Sequence, residues 1–317
     1  MRKLVFLFLL AALQAASAQT YPNRPVKIVI GFTPGGGVDI NARLLANKLT
    51  ELIGQTVIVE NKPGAGTNIG AEYVAKSAPD GYTLFFNSPA MAINMSLYKN
   101  PGYDVLKDFA PISVFSDSTN ILVVPASLPV KTPKELVALA REKPGTLNFS
   151  SAGSGSTQHL AGELFKLRTG TQMVHVPYRG SAPSIAALLS AEVQLSFVNP
   201  LAIGSHVKTG RLRALAVAGP RRAPLLPEVP TLKESGIEGV EVPLWFGLLA
   251  PAGTPREIIA TLAAGVQRAA RDPDMRKRLE EQGGEPVGST PEEFAALLRE
   301  EVAKWAEVVK VSGAKAN

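Results

Sequence analysis

Short apolar segments alternate with amphipathic ones along most of the chain, and this alternation narrows the fold more than any other feature. Val26–Phe32, Thr56–Glu60, Tyr82–Phe86, Leu147–Ser150, Met173–Val176, Val193–Val198 and Leu212–Ala218 each have the length and character of a strand. Stretches with helical spacing separate them, the first placing Leu45, Leu49 and Leu52 on one face. Strands that alternate with helices pair mostly in parallel and are covered by those helices, so the expected fold class is α/β. Thr132 is positioned to cap a helix over Pro133–Arg141, with proline first and Glu135 third.

A chain of about 300 residues exceeds what one hydrophobic core usually supports, so two lobes are expected. Between Ile112 and Val124 two β-like stretches flank the polar run Ser116–Asn120, which reads as a crossing into a second lobe. A long strand over Val240–Ala250, interrupted at Pro243, reads as the return. The expected division is residues 19–119 and 246–317 in lobe 1, which is discontinuous, and residues 120–245 in lobe 2. Paired connections of this kind suit a hinge.

Ahead of the first lobe, Met1-Arg2-Lys3, the apolar run Leu4–Leu13 and Ala16-Ser17-Ala18 form the pattern of a secretory signal peptide over residues 1–18, with cleavage expected after Ala18. A spanning helix needs about 20 apolar residues, and Gln14 and Ser17 interrupt this run earlier. The chain has no cysteine, which excludes disulfides, thiol nucleophiles and lipid attachment through cysteine. A free protein in the periplasm is expected. The formal charge of +6, or +4 without Arg2 and Lys3, is spread among acidic residues, so no nucleic-acid partner is expected.

Three strand-to-helix junctions are rich in glycine: Thr33–Asp39, Pro63–Asn68 and Ser150–Thr157. Glycine lets backbone approach a ligand, and a helix N-terminus offers unpaired N–H groups to an anion. Any one such loop is more often a capped turn; one in each lobe points to an anion clamp. None has the G-x-G-x-x-G or G-K-[ST] spacing, no G-x-S-x-G or H-E-x-x-H occurs, and only His159, His175 and His206 are present, so no cofactor and no metal are expected. A Ser156–His159 pair would be needed for a hydrolase; an N-cap serine beside a pocket histidine is the simpler reading. Phe86-Asn87-Ser88-Pro89 and Phe197-Val198-Asn199-Pro200 each deliver an asparagine to a strand end, as a ligand contact or a turn former. Val176–Gly180 leads from a strand into a helix, with Tyr178 a candidate cleft wall and Arg179 either a carboxylate partner or a solvated cation.

At these motifs the chain resembles the substrate-binding proteins of tripartite tricarboxylate transporters, the Bug family. The resemblance runs through Tyr21–Pro25, Gly31–Asp39, Val59–Gly66, Ala78–Leu84, Ser151–Gly162, His175–Gly180, Leu212–Val217 and Ala250–Pro255. It implies a two-lobed type II periplasmic binding protein, or Venus flytrap, that is not an enzyme. The implied partners are a small organic-acid ligand and a membrane permease with one large and one small subunit, a sensor kinase being the alternative recipient. A monomer is expected. The implied ligand contacts are Phe32, Thr33, Gly36, Asp39, Asn87 and Ser88 from lobe 1, and Ser151, Gly155, Ser156, Thr157, His159, Tyr178 and Asn199 from lobe 2. Where family members binding amino acids would carry an acidic residue, Asn199 is neutral, which favours a di- or tricarboxylate or aromatic acid without a positive charge.

Overall fold

The structure is a computed structural model and describes residues 21–281 and 283–316; the expected signal peptide lies outside them. Two sheets carry the fold. The first contains β1 (Val26–Ile30), β2 (Val57–Asn61), β3 (Thr83–Asn87), β4 (Phe109–Ser118), β10 (Leu244–Pro251) and β11 (Glu285–Pro286), in the order β11-β4-β10-β3-β1-β2. The second contains β5 (Ile121–Pro125), β6 (Asn148–Ser151), β7 (Val174–Pro177), β8 (Leu195–Val198) and β9 (Leu212–Val217), in the order β7-β6-β8-β5-β9. Among the described residues no helix is long and apolar enough to cross a membrane.

The strand directions follow from the crossings. β1 pairs in parallel with β2 and β3, and β6 with β7 and β8. β5 is antiparallel to β8 and β9, and β10 is antiparallel to β3 and β4. Parallel strands end at the interlobe face, where β4 stops at Ser118. The chain then enters the second sheet at that same face, so β5 must run the opposite way. The return is the mirror case: β9 ends at Val217 and β10 begins at Leu244, opposite Ser118. The expected strand over Val240–Ala250 therefore starts only after Pro243, whose ring cannot donate to a ladder, and Leu244 and Trp245 lie in the first sheet.

Helices cover both sheets. α1 (Gly37–Ile53) presses Ala42, Leu45, Ala46 and Leu49 onto the first sheet and ends at Gly54, which takes the left-handed conformation. α2 (Asn68–Ala75), α3 (Ala90–Leu97), α8 (Arg256–Arg271) and α9 (Pro273–Glu281) complete that lobe's helices. In the second lobe, α4 (Pro133–Glu142) begins with Thr132 accepting the Glu135 N–H, and α5 (Thr157–Thr169), α6 (Ser181–Leu189) and α7 (Pro200–Lys208) follow.

The last helix, α10 (Pro291–Ser312), departs from the expected assignment of residues 246–317 to lobe 1. Phe294 and Leu298 pack in a core of the first lobe, whereas Trp305 joins a core of the second. α3 does the same, with Met91 facing lobe 1 and Ala92, Ile93 and Leu97 facing lobe 2. Helical spacing predicts an apolar stripe but not which bodies it touches, and here one stripe serves two. The buried Glu301 carboxylate accepts the indole N–H of Trp305 at 2.7 Å and of Trp245 at 3.3 Å, tying α10 to β10.

Candidate functional site

The carboxyl ends of the parallel strands meet between the lobes. β1 runs through Phe32–Gly36 into α1, β3 through Asn87-Ser88 into α3, β6 through Ala152–Ser156 into α5, β7 into α6, and β8 through Asn199 into α7. Between them lies a pocket of about 30 Å³ lined by Phe32, Gly36, Gly37, Val38 and Ser88 from lobe 1 and Asn120, Ala152, Ser156, Thr157, Gln158, Ser181 and Asn199 from lobe 2, with Leu244 and Phe246. Among the described residues no charged side chain lines it. α1 and α6 begin at Gly36 and Gly180 with no side-chain cap, so their first N–H groups have no side-chain acceptor. Those N–H groups and the partial positive charge of the helix ends are suited to an anion without a cation.

The lobes are in contact. Tyr98 of lobe 1 donates its hydroxyl to the Ser154 carbonyl at 3.2 Å. Glycines allow the closest approaches. A Cβ on Gly66 would lie 2.2 Å from the Ser154 carbonyl oxygen, and one on Gly180 would lie 2.0 Å from Thr33 Oγ1. Both residues have positive φ, 61° and 138°, so glycine serves conformation and clearance together.

Five buried side-chain atoms lack a hydrogen-bond partner among the described residues: Thr33 Oγ1, Asn87 Oδ1, Asn94 Oδ1, Asn120 Oδ1 and Gln158 Oε1. Thr33, Asn87, Asn120 and Gln158 belong to the loops, strand ends and helix starts along the cleft, whereas Asn94 lies within α3. Each such atom costs about 1–3 kcal/mol, and their grouping marks polar capacity held for something else. The Asn120 amide donates to Thr157 Oγ1 at 3.1 Å, and the Gln158 amide to Ser181 Oγ at 2.9 Å. Each amide–hydroxyl pair thus presents one acceptor and one donor to the pocket. Turning the amide exchanges the two roles within a pair but keeps one of each.

The expected site residues fall into three groups. Phe32, Gly36, Ser88, Ser156, Thr157 and Asn199 line the pocket. Asn199 is engaged at both ends, accepting the Leu201 N–H and donating to Ser118 Oγ at 2.8 Å, and Ser156 Oγ accepts the His159 N–H as a helix cap. Thr33 lies against Gly180, Asn87 donates to Thr67 Oγ1 at 3.3 Å, and Tyr178 borders a neighbouring cavity. The Tyr178 hydroxyl donates to Glu192 at 2.8 Å; burial, then that carboxylate, pushes its pKa up to about 12.

The third group is turned away. Asp39 accepts from the Gly35 N–H, Arg43 and Asn61. Burial pushes its carboxyl up, but these hydrogen bonds outweigh it and hold the group below the usual carboxylate range. Ser151, Gly155 and His159 form a layer behind the β6–α5 loop. Ser151 Oγ is 2.7 Å from His175 Nε2, the Gly155 N–H donates to His159 Nδ1, and the two imidazoles stack at 4.0 Å. Burial, with neighbouring positive charge adding to it, lowers His159 to about 4 and His175 to about 3, so both rings are neutral at pH 7.

Sequence reasoning missed Asn120, Gln158, Ser181, Leu244 and Phe246. The first three carried a signal: Asn120 ends the polar crossing, and Gln158 and Ser181 open helices that follow glycine turns. Leu244 and Phe246 reach the pocket only because β10 starts at the interlobe face.

Two α/β lobes joined by crossing strands, closed over a small polar pocket, define a solute receptor. The family model described as "Tripartite tricarboxylate transporter family receptor" matches residues 41–314. The chain belongs to that family, whose members are periplasmic substrate-binding proteins and not enzymes. It is 38% identical over 301 residues to Protein BugT of Bordetella pertussis, covering 94% of this chain and 92% of that protein. Among solved structures, "R. palustris Rpa4515 with adipate" superposes with a TM-score of 0.91 at 38% identity, covering 94% of this chain and 100% of that one. "MatC (Rpa3494) from Rhodopseudomonas palustris with bound malate" does so with 0.87 at 32%, covering 91% and 100%.

Proposed function

We propose that this protein captures a small di- or tricarboxylate, or an aromatic acid, in the interlobe pocket and delivers it to a tripartite tricarboxylate-type permease after export and cleavage behind Ala18. The carrying observation is the convergence of uncapped helix N-termini and unpartnered buried amides on a pocket without a charged side chain. The adipate and malate bound by two similar proteins support the ligand class. Backbone N–H groups of α1 and α6, the hydroxyls of Ser88, Thr157 and Ser181, and the amides of Asn120 and Gln158 are the proposed contacts. Ligands carrying an ammonium group are disfavoured, since Asn199 is neutral and Asp39 is already matched by Arg43.

A pocket of about 30 Å³ has room for about two waters, so a dicarboxylate enters only with the lobes apart. The test is calorimetric titration of the mature protein, refolded to strip retained ligand, with carboxylates, amino acids and aromatic acids. Selective binding of one acid class is expected. Asn120→Ala and Gln158→Ala should each weaken it about tenfold, the value of one hydrogen bond to a charged group, while lowering the stability of the unliganded protein by no more than about 1 kcal/mol, the worth of the amide–hydroxyl bond lost. Tight binding of aspartate or glutamate, with their amino-free analogues weaker, would refute the ligand class.

A further inference from the structure

A second cavity adjoins the inner pocket and has a different chemistry. It measures about 420 Å³ and lies between the Pro63–Thr67 loop of lobe 1 and the Gly153-Ser154 and Pro177–Arg179 segments of lobe 2. Phe32 and Ala152 border both spaces and belong to one packed cluster across the cleft, so they form the partition between them. Phe32, Ile69, Tyr98 and Tyr178 give the outer cavity largely apolar walls.

Its one charged lining residue is Arg179, which is exposed and makes no hydrogen bond or ion pair among the described residues. Among the described residues no acidic side chain lines either space. Other basic groups nearby are already matched: Lys62 pairs with Glu60 at 2.7 Å, and Arg43 with Asp39 at 2.9 Å. The Tyr178 hydroxyl faces Glu192, leaving its ring as wall.

Resting on the function proposed above, we propose that the outer cavity is a second subsite of the same ligand path, with Arg179 as the residue that selects for a distal carboxylate. One acid group sits in the inner pocket against helix N-termini. An apolar spacer passes the Phe32–Ala152 partition, and the second acid group reaches the Arg179 guanidinium. The preferred class is a diacid with a long methylene or aromatic spacer. A short diacid leaves its second charge in the apolar partition, where it has no partner. Guanidinium and carboxylate match as planar groups, and a pair in a half-closed cavity is screened less than one on open surface.

The experiment compares straight-chain α,ω-dicarboxylates of increasing length with monocarboxylates of matched length, titrated calorimetrically into the refolded protein and its Arg179→Gln variant. Because Arg179 is exposed and unpaired, the variant is expected to fold as the native chain does. The native protein should bind the long diacid more tightly than the matched monoacid. The variant should lose about tenfold for the long diacid, the worth of one charged hydrogen bond, with the monoacid and the shortest diacid unchanged. Raising ionic strength should weaken the long diacid in the native protein and much less in the variant. If acids bind but the diacid-to-monoacid ratio is the same in both proteins, the subsite is overturned and the inner pocket stands. If no acid of any length binds, both readings fall together.

Discussion

Acidification should weaken the fold through the layer behind the β6–α5 loop before the pH reaches the ordinary carboxylate range. His159 and His175 are buried, stacked on each other at 4.0 Å, and His175 also stacks on Phe149 at 4.9 Å. Their folded pKa values of about 4 and about 3 lie below the unfolded value near 6.5. The folded state therefore binds fewer protons than the unfolded chain through this window. Stability from the neutral rings is full above about pH 6.5 and is lost as pH falls towards the folded pKa values. For His159 alone the shift corresponds to about 3 kcal/mol, and with both rings titrating the slope approaches ~3 kcal/mol per pH unit. Against a total stability of about 5–15 kcal/mol, that slope is large. The assay is urea unfolding of the ligand-free protein between about pH 6.5 and about pH 5, above the ordinary carboxylate range. His175→Phe, which keeps a ring on Phe149 but cannot titrate, should remove roughly half the slope. A flat native profile over that interval, or one unchanged in the variant, would refute the reasoning.

Two further outcomes follow from contacts between the lobes. Gly180→Ala places a Cβ against Thr33 Oγ1 and forces a positive φ on an L-residue; ligand affinity should fall at least about tenfold for a closure strain of 1.4 kcal/mol or more, and small-angle scattering should report a wider particle, so an unchanged Kd and radius would count against the closed geometry. Glu301→Ala leaves the indoles of Trp245 and Trp305 without their acceptor and should cost about 2–5 kcal/mol in chemical denaturation, whereas Glu301→Gln retains an acceptor oxygen and most of the stability; because these are the chain's two tryptophans, intrinsic fluorescence should shift in the alanine variant and barely move in the glutamine one.

The strand–helix alternation and the polar crossing at Ser116–Asn120 were legible because each is a local pattern: a strand's length, a helix's period, a break in apolar character. The pocket was legible only in part, for a topological reason. Gly36, Ser88, Ser156 and Thr157 sit at strand-to-helix junctions, which parallel sheets place at one edge wherever they occur. Whether a side chain at such a junction faces the ligand or its own loop depends on partners distant in sequence. Asp39 turned to Asn61 and Arg43, Ser151 to His175, and Asn199 to Ser118, and no residue spacing announces those choices. The double allegiance of α3 and α10 was hidden for the same reason, since an apolar face reads alike whether it covers one core or joins two.

An anion site made of helix ends rather than a cation has a consequence for how the proposed receptor releases its ligand. One helix N-terminus contributes about 0.3–1 kcal/mol, and up to ~2 when partly buried, while micromolar affinity needs about 8 kcal/mol. Neither lobe reaches that figure with its own uncapped terminus: lobe 1 brings α1, lobe 2 brings α6. An arginine inside the inner pocket would hold a carboxylate on one lobe even when open, and opening would then not discharge it. With dipoles and neutral amides, the deficit is met only when both lobes bring their groups together and water is excluded, which strengthens each hydrogen bond. Separating the lobes removes that gain at once. Affinity at the inner pocket is thereby tied to closure, and parting the lobes is enough to release the acid group held there.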